Sequence, residues 1–251
     1  MKEKIKQDTV AAFLELAKLM LFAYPLGLLI GLLGLFGRFC FAINILHTDR
    51  LSCINKLEKV ILVSNHPSVI DPFLMAILLS WYYAINPFKH SPLIVADKLN
   101  FYDSWWFFPF RSVMVPVDRD GERKKAAALL RIKKAVECGR PIIIFPEGGR
   151  TFKGNEGEFL YSKKENRIRF LQGGIGLLVR KTGATIIPIG IKGSDNVVPN
   201  SKEKLFTQFN PWEKITISIG EPLSFSPNTP REQVTQVIAS QILQAIDEAS
   251  D

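Results

Sequence analysis

Val60-Ile61-Leu62-Val63-Ser64-Asn65-His66-Pro67-Ser68-Val69-Ile70-Asp71-Pro72 is the stretch around which the rest of the 251-residue chain is arranged. Its opening apolar, mostly β-branched run gives way to turn-forming residues, which reads as a buried strand. Pro67 and Pro72 each remove a backbone donor and push the residue before them, His66 and Asp71, toward extended backbone. From Pro72 to Trp81 the sequence reads as a helix, with Asp71 at the N-cap and Pro72 at the first helical position. One imidazole is thus expected on a tight strand-to-helix loop, and one carboxylate at the start of the following helix.

That pairing has the chemistry of a general base. A neutral imidazole accepts a proton from a hydroxyl near pH 7. An ionised carboxylate beside it fixes the tautomer and stabilises the imidazolium that forms. The helix N-terminus favours an ionised Asp71, whose two oxygens are able to cap the helix and accept from His66 together. Taken alone, the spacing reads more simply as a loop histidine followed by an ordinary capping aspartate.

The composition bounds the partners. The length suits one domain with an appendage and is ample for a buried core. With 32 basic and 24 acidic residues the net charge is +8, which suits a phospholipid surface, a phosphorylated substrate or nucleic acid. Nucleic acid is the weakest of these: the basic residues are interleaved with acids, and no helix-turn-helix, zinc or RNP signature appears. Cys40, Cys53 and Cys138 are odd in number and far apart, so neither a disulfide framework nor a metal site is expected and a reducing compartment is the default. His47, His66 and His90 are the only histidines.

Leu19 to Gly37 carries no charge, and after Arg38 the apolar character continues to Leu46. Length alone permits a membrane span. Pro25 and Gly27, however, interrupt the run early, Lys18 and Arg38 flank it with positive charge, and Val10 to Ala17 is amphipathic. Two helices broken near Pro25 and lying in one leaflet fit this pattern better than a full span or a buried core helix. A secretory signal is not expected, because Glu3 and Asp8 dilute the basic leader and no small-x-small cleavage site follows. The expected division is residues 1–50 as membrane-associated helices and 51–251 as an α/β domain.

Within that domain, Pro92 to Ala96, Val113 to Val117, Ile142 to Phe145, Ala184 to Ile191 and Lys214 to Ile219 read as further strands. Gly121 to Val136, Gln172 to Lys181 and Glu232 to Ala249 read as helices. Strands alternating with helices indicate an α/β fold, a mixed sheet flanked by helices on both faces. Trp105-Trp106-Phe107-Phe108-Pro109-Phe110 is an aromatic cluster that suits a core and is compatible with a lipid-facing rim. The strand at Ile142–Phe145 runs into Pro146-Glu147-Gly148-Gly149-Arg150-Thr151. Paired glycines let backbone N–H groups approach a phosphate or oxyanion, and Arg150 supplies a bidentate fork; alone, the same residues also make an ordinary turn with a surface arginine. Ligands of α/β sheets bind beyond the carboxyl ends of strands, where this loop and the His66 loop would both lie.

Asn65-His66-x4-Asp71, then Val115-Pro116-Val117-Asp118-Arg119, then Phe145-Pro146-Glu147-Gly148-Gly149-Arg150, then Ile186-Ile187-Pro188-Ile189 form an ordered series. Over roughly residues 58 to 220 this resembles the glycerolipid acyltransferase superfamily, most closely the bacterial 1-acylglycerol-3-phosphate acyltransferases. The resemblance implies that His66 deprotonates the free hydroxyl of a lysophospholipid while Asp71 orients it. The alkoxide would then attack the thioester of acyl-CoA or acyl carrier protein directly, without an acyl-enzyme, metal or cofactor. Arg119, Glu147, Gly148, Gly149 and Arg150 match the family's acceptor-binding blocks, and Lys98 lies near a frequent basic position. The family also implies the cytoplasmic face of the inner membrane as the working place. The chain departs from the family's pattern where Gly149 replaces a usual threonine, Val113 a usual glycine and Gln172 a frequent lysine, and in the longer basic connection from Thr151 to Arg169. Within the class, glycerol 3-phosphate or another lysolipid is an alternative acceptor. Outside it stand a His–Asp thioester hydrolase and a non-catalytic membrane scaffold.

Overall fold

Val60–Ser64, buried throughout, sits at the middle of a seven-stranded sheet in the computed structural model, which describes residues 17, 19–40, 42–118, 121–152, 158–199 and 209–250. In chain order the elements are α1 (Tyr24–Phe39), β1 (Ile43–Leu46), β2 (Val60–Ser64), α2 (Asp71–Ile85), β3 (Leu93–Asp97), β4 (Met114–Val117), α3 (Glu122–Glu137), β5 (Ile142–Ile144), β6 (Phe159–Tyr161), β7 (Arg167–Arg169), α4 (Gly174–Thr182), β8 (Thr185–Lys192), β9 (Ile215–Ile219) and α5 (Arg231–Glu248), joined by shorter helical turns. The strand order is β1-β9-β8-β2-β5-β3-β4. From β8 to β4 the neighbours are parallel; β9 pairs antiparallel to β8, and β1 runs parallel to β9. The sheet is therefore mixed, as expected, and β6 with β7 makes a separate antiparallel hairpin inside the basic connection.

The strands are apolar on both sides because both sides are covered. Alternate residues of a strand face opposite ways, so Ile61 and Val63 join Ile142, Ile144 and Ile186 under α3, α4 and α5. Val60 and Leu62 join Ile143, Ile187 and Ile189 under α2. Truncating a side chain as enclosed as Leu62 to alanine costs about 3 kcal/mol. The sheet begins before residue 51: Ile43–Leu46, which the composition groups with the membrane appendage, is its edge strand, registered against Ile215–Ser218.

The N-terminal stretch differs from the expected broken pair. Leu19–Phe39 is one helical run of 21 residues, and Pro25 sits in the first turn of α1 just after a widened turn at Leu19–Ala23. The widened turn immediately before the proline takes up its missing N–H, so the run continues without a break. The amphipathic segment expected before it falls, but for Ala17, outside the described residues. One side of α1 is glycine. A Cβ at Gly27 would stand 2.3 Å from the Tyr83 ring, one at Gly31 2.7 Å from Ser80, and one at Gly34 2.3 Å from Ile77. This bare side lets α1 lie directly on α2, while Leu29, Leu32, Leu33 and Phe36 point outward and are exposed.

Candidate active site

Because β2, β5 and β8 are parallel, the loops that follow them emerge at one end of the sheet. The loop after β2 is fixed at its first residue. Buried Asn65 donates Nδ2 to Ile191 O (2.7 Å) and accepts from Ile191 N (2.8 Å), which ties it to the end of β8. His66 follows, and its backbone is clamped to the loop after β5. His66 N donates to Glu147 Oε1 at 2.8 Å, and Thr151 N donates to His66 O at 2.7 Å. The two loops singled out by sequence are thus hydrogen-bonded to each other.

The imidazole stacks on Phe145, with ring centroids 4.3 Å apart, and places Nδ1 2.8 Å from Asp71 Oδ2. An ionised carboxylate only accepts, so Nδ1 carries the proton and Nε2 keeps its lone pair. Asp71 is the first residue of α2, one position inside the expected N-cap, and its Oδ2 also accepts from Ser68 N at 2.7 Å. Oδ2 thus takes the imidazole and a loop N–H, and the expected side-chain cap on the helix is not made. Burial pushes the Asp71 carboxyl above its ordinary range, opposed by the His66 bond and charge. The imidazole that Asp71 orients thus favours its ionised form against the effect of burial.

Glu147 is placed differently from the expectation that it binds substrate. It is buried, and its oxygens are taken by protein donors: His66 N and the Thr151 hydroxyl (2.7 Å) on Oε1, and Arg169 N (2.8 Å) on Oε2. Burial raises its pKa, against those same bonds. Its carboxylate is a knot joining the two loops to β7. Gly148 makes the turn, at φ +74°, with the Gln172 side chain packed where a Cβ would be. Gly149 and Arg150 line a cavity, and Arg150 Nη1 is buried with no hydrogen-bond partner. Lys98 is ion-paired with Asp103 at 3.0 Å and does not line the cavity, while Asp97 and Asn100 beside it do. Arg119 lies outside the described residues.

The cavity has a volume of about 460 Å³. His66, Gly149 and Arg150 supply its polar side; Ala23, Gly27 and Ile30 of the N-terminal stretch, Phe73 and Ala76 of α2, and Phe107 and Phe110 of the aromatic cluster supply much of its apolar side. Tyr83, whose phenol is pushed up to about 12 by burial, also lines it. Among the described residues no group of three or more His, Cys, Asp or Glu is placed to hold a metal ion. Sequence reasoning missed Asn65, Ser68, Phe145 and Thr151 as supports of the dyad. A polar residue at the very end of an apolar strand was the available signal for Asn65.

Comparison with known proteins agrees with this geometry. The family model described as Acyltransferase matches residues 47–192. The 1-acyl-sn-glycerol-3-phosphate acyltransferase of Borreliella burgdorferi is 25% identical over 206 residues, covering 77% of this chain and 68% of its own. That of Chlamydomonas reinhardtii is 25% identical over 190 residues, covering 74% and 49%, and a probable one of Mycoplasma pneumoniae is 29% identical over 107 residues, covering 41% and 37%. Against the last two, the chain spans less than half of the relative's length. In fold, the crystal structure of the 1-acyl-sn-glycerophosphate (LPA) acyltransferase PlsC from Thermotoga maritima superposes with a TM-score of 0.57 at 18% identity, covering 96% of this chain and 89% of that one. With its family match extending over more than half of its length, from ahead of the dyad to the end of β8, the chain belongs to the acyltransferase family.

Proposed function

We propose that the chain moves a fatty acyl group from a thioester donor, acyl-CoA or acyl carrier protein, to the free hydroxyl of a lysophospholipid, with 1-acylglycerol 3-phosphate as the preferred acceptor. The observation that carries this reading is the His66–Asp71 pair in the lining of an apolar cavity, with the unpartnered Arg150 nitrogen in the same lining. His66 Nε2 takes the proton of the acceptor hydroxyl. The oxygen then bonds to the thioester carbonyl carbon, the carbon–sulfur bond breaks, and the imidazolium returns the proton to the leaving thiolate. Arg150 answers the acceptor phosphate, a role a guanidinium fork fills well. The apolar side of the cavity takes an acyl chain. Glu147 and Gly148 serve by holding the loop, and Lys98, paired with Asp103, is left out of the substrate contacts.

The N-terminal helix supports a membrane-bound reading. Within its 21 residues an 18-residue window reaches a mean hydropathy of 2.2, enough by length and composition to cross a bilayer. Its glycine side is occupied by α2, so the outward Leu29, Leu32, Leu33 and Phe36 are what it offers to lipid. Exposed Leu99, Trp105 and Phe108 add apolar surface beyond Phe22, which touches Phe108. This favours a helix lying in one leaflet, with the sheet on the cytoplasmic side.

Purified protein given labelled acyl-CoA or acyl carrier protein with 1-acylglycerol 3-phosphate, glycerol 3-phosphate or a zwitterionic lysolipid tests the reading. Phosphatidic acid from the first acceptor is expected. Product from another acceptor alone would reassign the substrate, and no acylated product from any would contradict the activity.

A further inference from the structure

Asp71 has one oxygen that the pairing with His66 does not use. Oδ2 takes both His66 Nδ1 and Ser68 N, whereas Oδ1 is buried with no hydrogen-bond partner. Near the Asp71 carboxyl lies Ser194, in the single turn Ser194–Val197 that follows β8. Ser194 is fully buried, and its Oγ is likewise without a hydrogen-bond partner. The hydroxyl is close enough to Asp71 to hold the carboxyl down against the rise that burial causes. Two unpaired, buried, complementary groups beside a catalytic dyad call for an explanation.

The turn carrying Ser194 is fastened on either side to the His66 loop itself. Before it, the Asn65 side chain exchanges two hydrogen bonds with Ile191; after it, the Ser68 hydroxyl donates to Val198 O at 2.8 Å. Gly193, at φ +85°, makes the bend between them against the backbone of Lys214. Ser68 therefore touches both ends of the arrangement, giving its N–H to Asp71 and its hydroxyl to the Ser194 turn. The fold thus brings the turn bearing Ser194 against the His66–Asp71 loop from 123 residues away in sequence.

We propose that Ser194 is a positioning residue of the dyad, its hydroxyl donating to Asp71 Oδ1 as His66 takes the acceptor proton, so that the carboxylate stays square to the imidazolium. The kinetic consequence rests on the acyl-transfer reading above. Other charges act around Asp71: His66 from the β2 loop, Asp195 from the turn itself, whose like charge repels that of Asp71, and Lys192 on β8, which offsets Asp195. Glu147, behind the His66 backbone, also feels the imidazole. Removing the hydroxyl leaves these in place and makes Asp71 a stronger base, so the dyad holds its proton to higher pH.

Ser194→Ala and Ser194→Cys test this together, the second keeping the shape with a much poorer donor. Both should lower kcat about fivefold, the worth of one hydrogen bond, at nearly unchanged acceptor KM. Both should move the acid limb of kcat/KM toward neutral pH by about half a unit, a threefold change in proton affinity. In protein without substrate, the Nδ1–H proton resonance that disappears in His66→Gln should move downfield in both variants. An acid limb and a resonance that stay put in both would overturn the proposal, as would movement in the alanine variant alone, which would make Ser194 a packing residue. Should the wild type transfer no acyl group, the reading of function fails, and the resonance alone decides the role of Ser194.

Discussion

The wall of the cavity that carries His66 is held by hydrogen bonds reaching 81 and 126 residues along the chain, from His66 to Glu147 and from Asn65 to Ile191. The apolar wall, made by the Leu19–Phe39 run, α2 and Trp105–Val113, is held mostly by rings and methyls: Phe22 on Phe108, Tyr24 on Tyr83, Phe73 on Phe110. Hydrogen bonds are directional and expensive to leave unmade. Apolar contacts are neither, and they tolerate sliding and repacking. The same cavity thus combines a wall on which reacting atoms are placed to a fraction of an ångström with one able to fit chains and lipid of varied shape. Proton transfer needs the first and acyl and membrane contact the second.

Breaking the polar wall at its centre should have the largest effect. His66→Ala is expected to lower kcat about 10³-fold, with acceptor binding retained in a direct binding assay. At its edge, Arg150→Ala should raise the acceptor KM about tenfold to a hundredfold with kcat little changed, by loss of a charge-assisted contact. Steady-state kinetics on both variants separates the two roles, and the reverse pattern would mean that they are misassigned. Glu147→Ala strands three donors and should cost about 3 kcal/mol of stability by denaturant unfolding, as well as activity. An unfolding midpoint like that of the wild type would show that Glu147 is not the knot described.

The apolar wall should respond in kind rather than in rate. Gly27→Val puts carbon against the Tyr83 ring and into the cavity lining, so the product profile should turn toward shorter acyl chains by about tenfold in preference. Competition between donors of different length, read by mass spectrometry, checks this. An unchanged profile with reduced membrane binding would place the acyl chain elsewhere. The smallest effect concerns pH. Burial raises the folded-state pKa of Glu147, so the folded chain keeps that proton to higher pH than the unfolded chain does. Its contribution then favours folding at acid pH and is lost as pH rises from the ordinary carboxylate range through the raised folded value. Glu147→Gln should flatten that slope in unfolding measured across the window.

The local half of the molecule was legible in its sequence. His66 and Asp71 are five residues apart with a proline after each, and that alone sets strand, loop and helix start. The strands β2, β3, β5, β8 and β9 announce themselves as apolar runs. What was hidden depended on distant partners. Glu147 reads as a loop carboxylate until His66 and Arg169 are brought to it, and Asn65 reads as punctuation until Ile191 arrives. Ile43–Leu46 looks like the tail of a membrane segment because its strand partner lies at Ile215–Ser218. The Asp103 partner of Lys98, five residues on, was likewise not read from the sequence. Pro25 reads as a break because proline is costly inside a helix, and the run passes through it because the widened turn at Leu19–Ala23 precedes it.

The central claim is that His66 activates an alcohol rather than water. Thiol release from acyl-CoA, followed in a single turnover with and without 1-acylglycerol 3-phosphate, tests it most directly. The account predicts one ester formed per thiol released, release only when the acceptor is present, and neither in His66→Ala. Thiol release at an equal rate without any acceptor would contradict it and make the protein a thioester hydrolase.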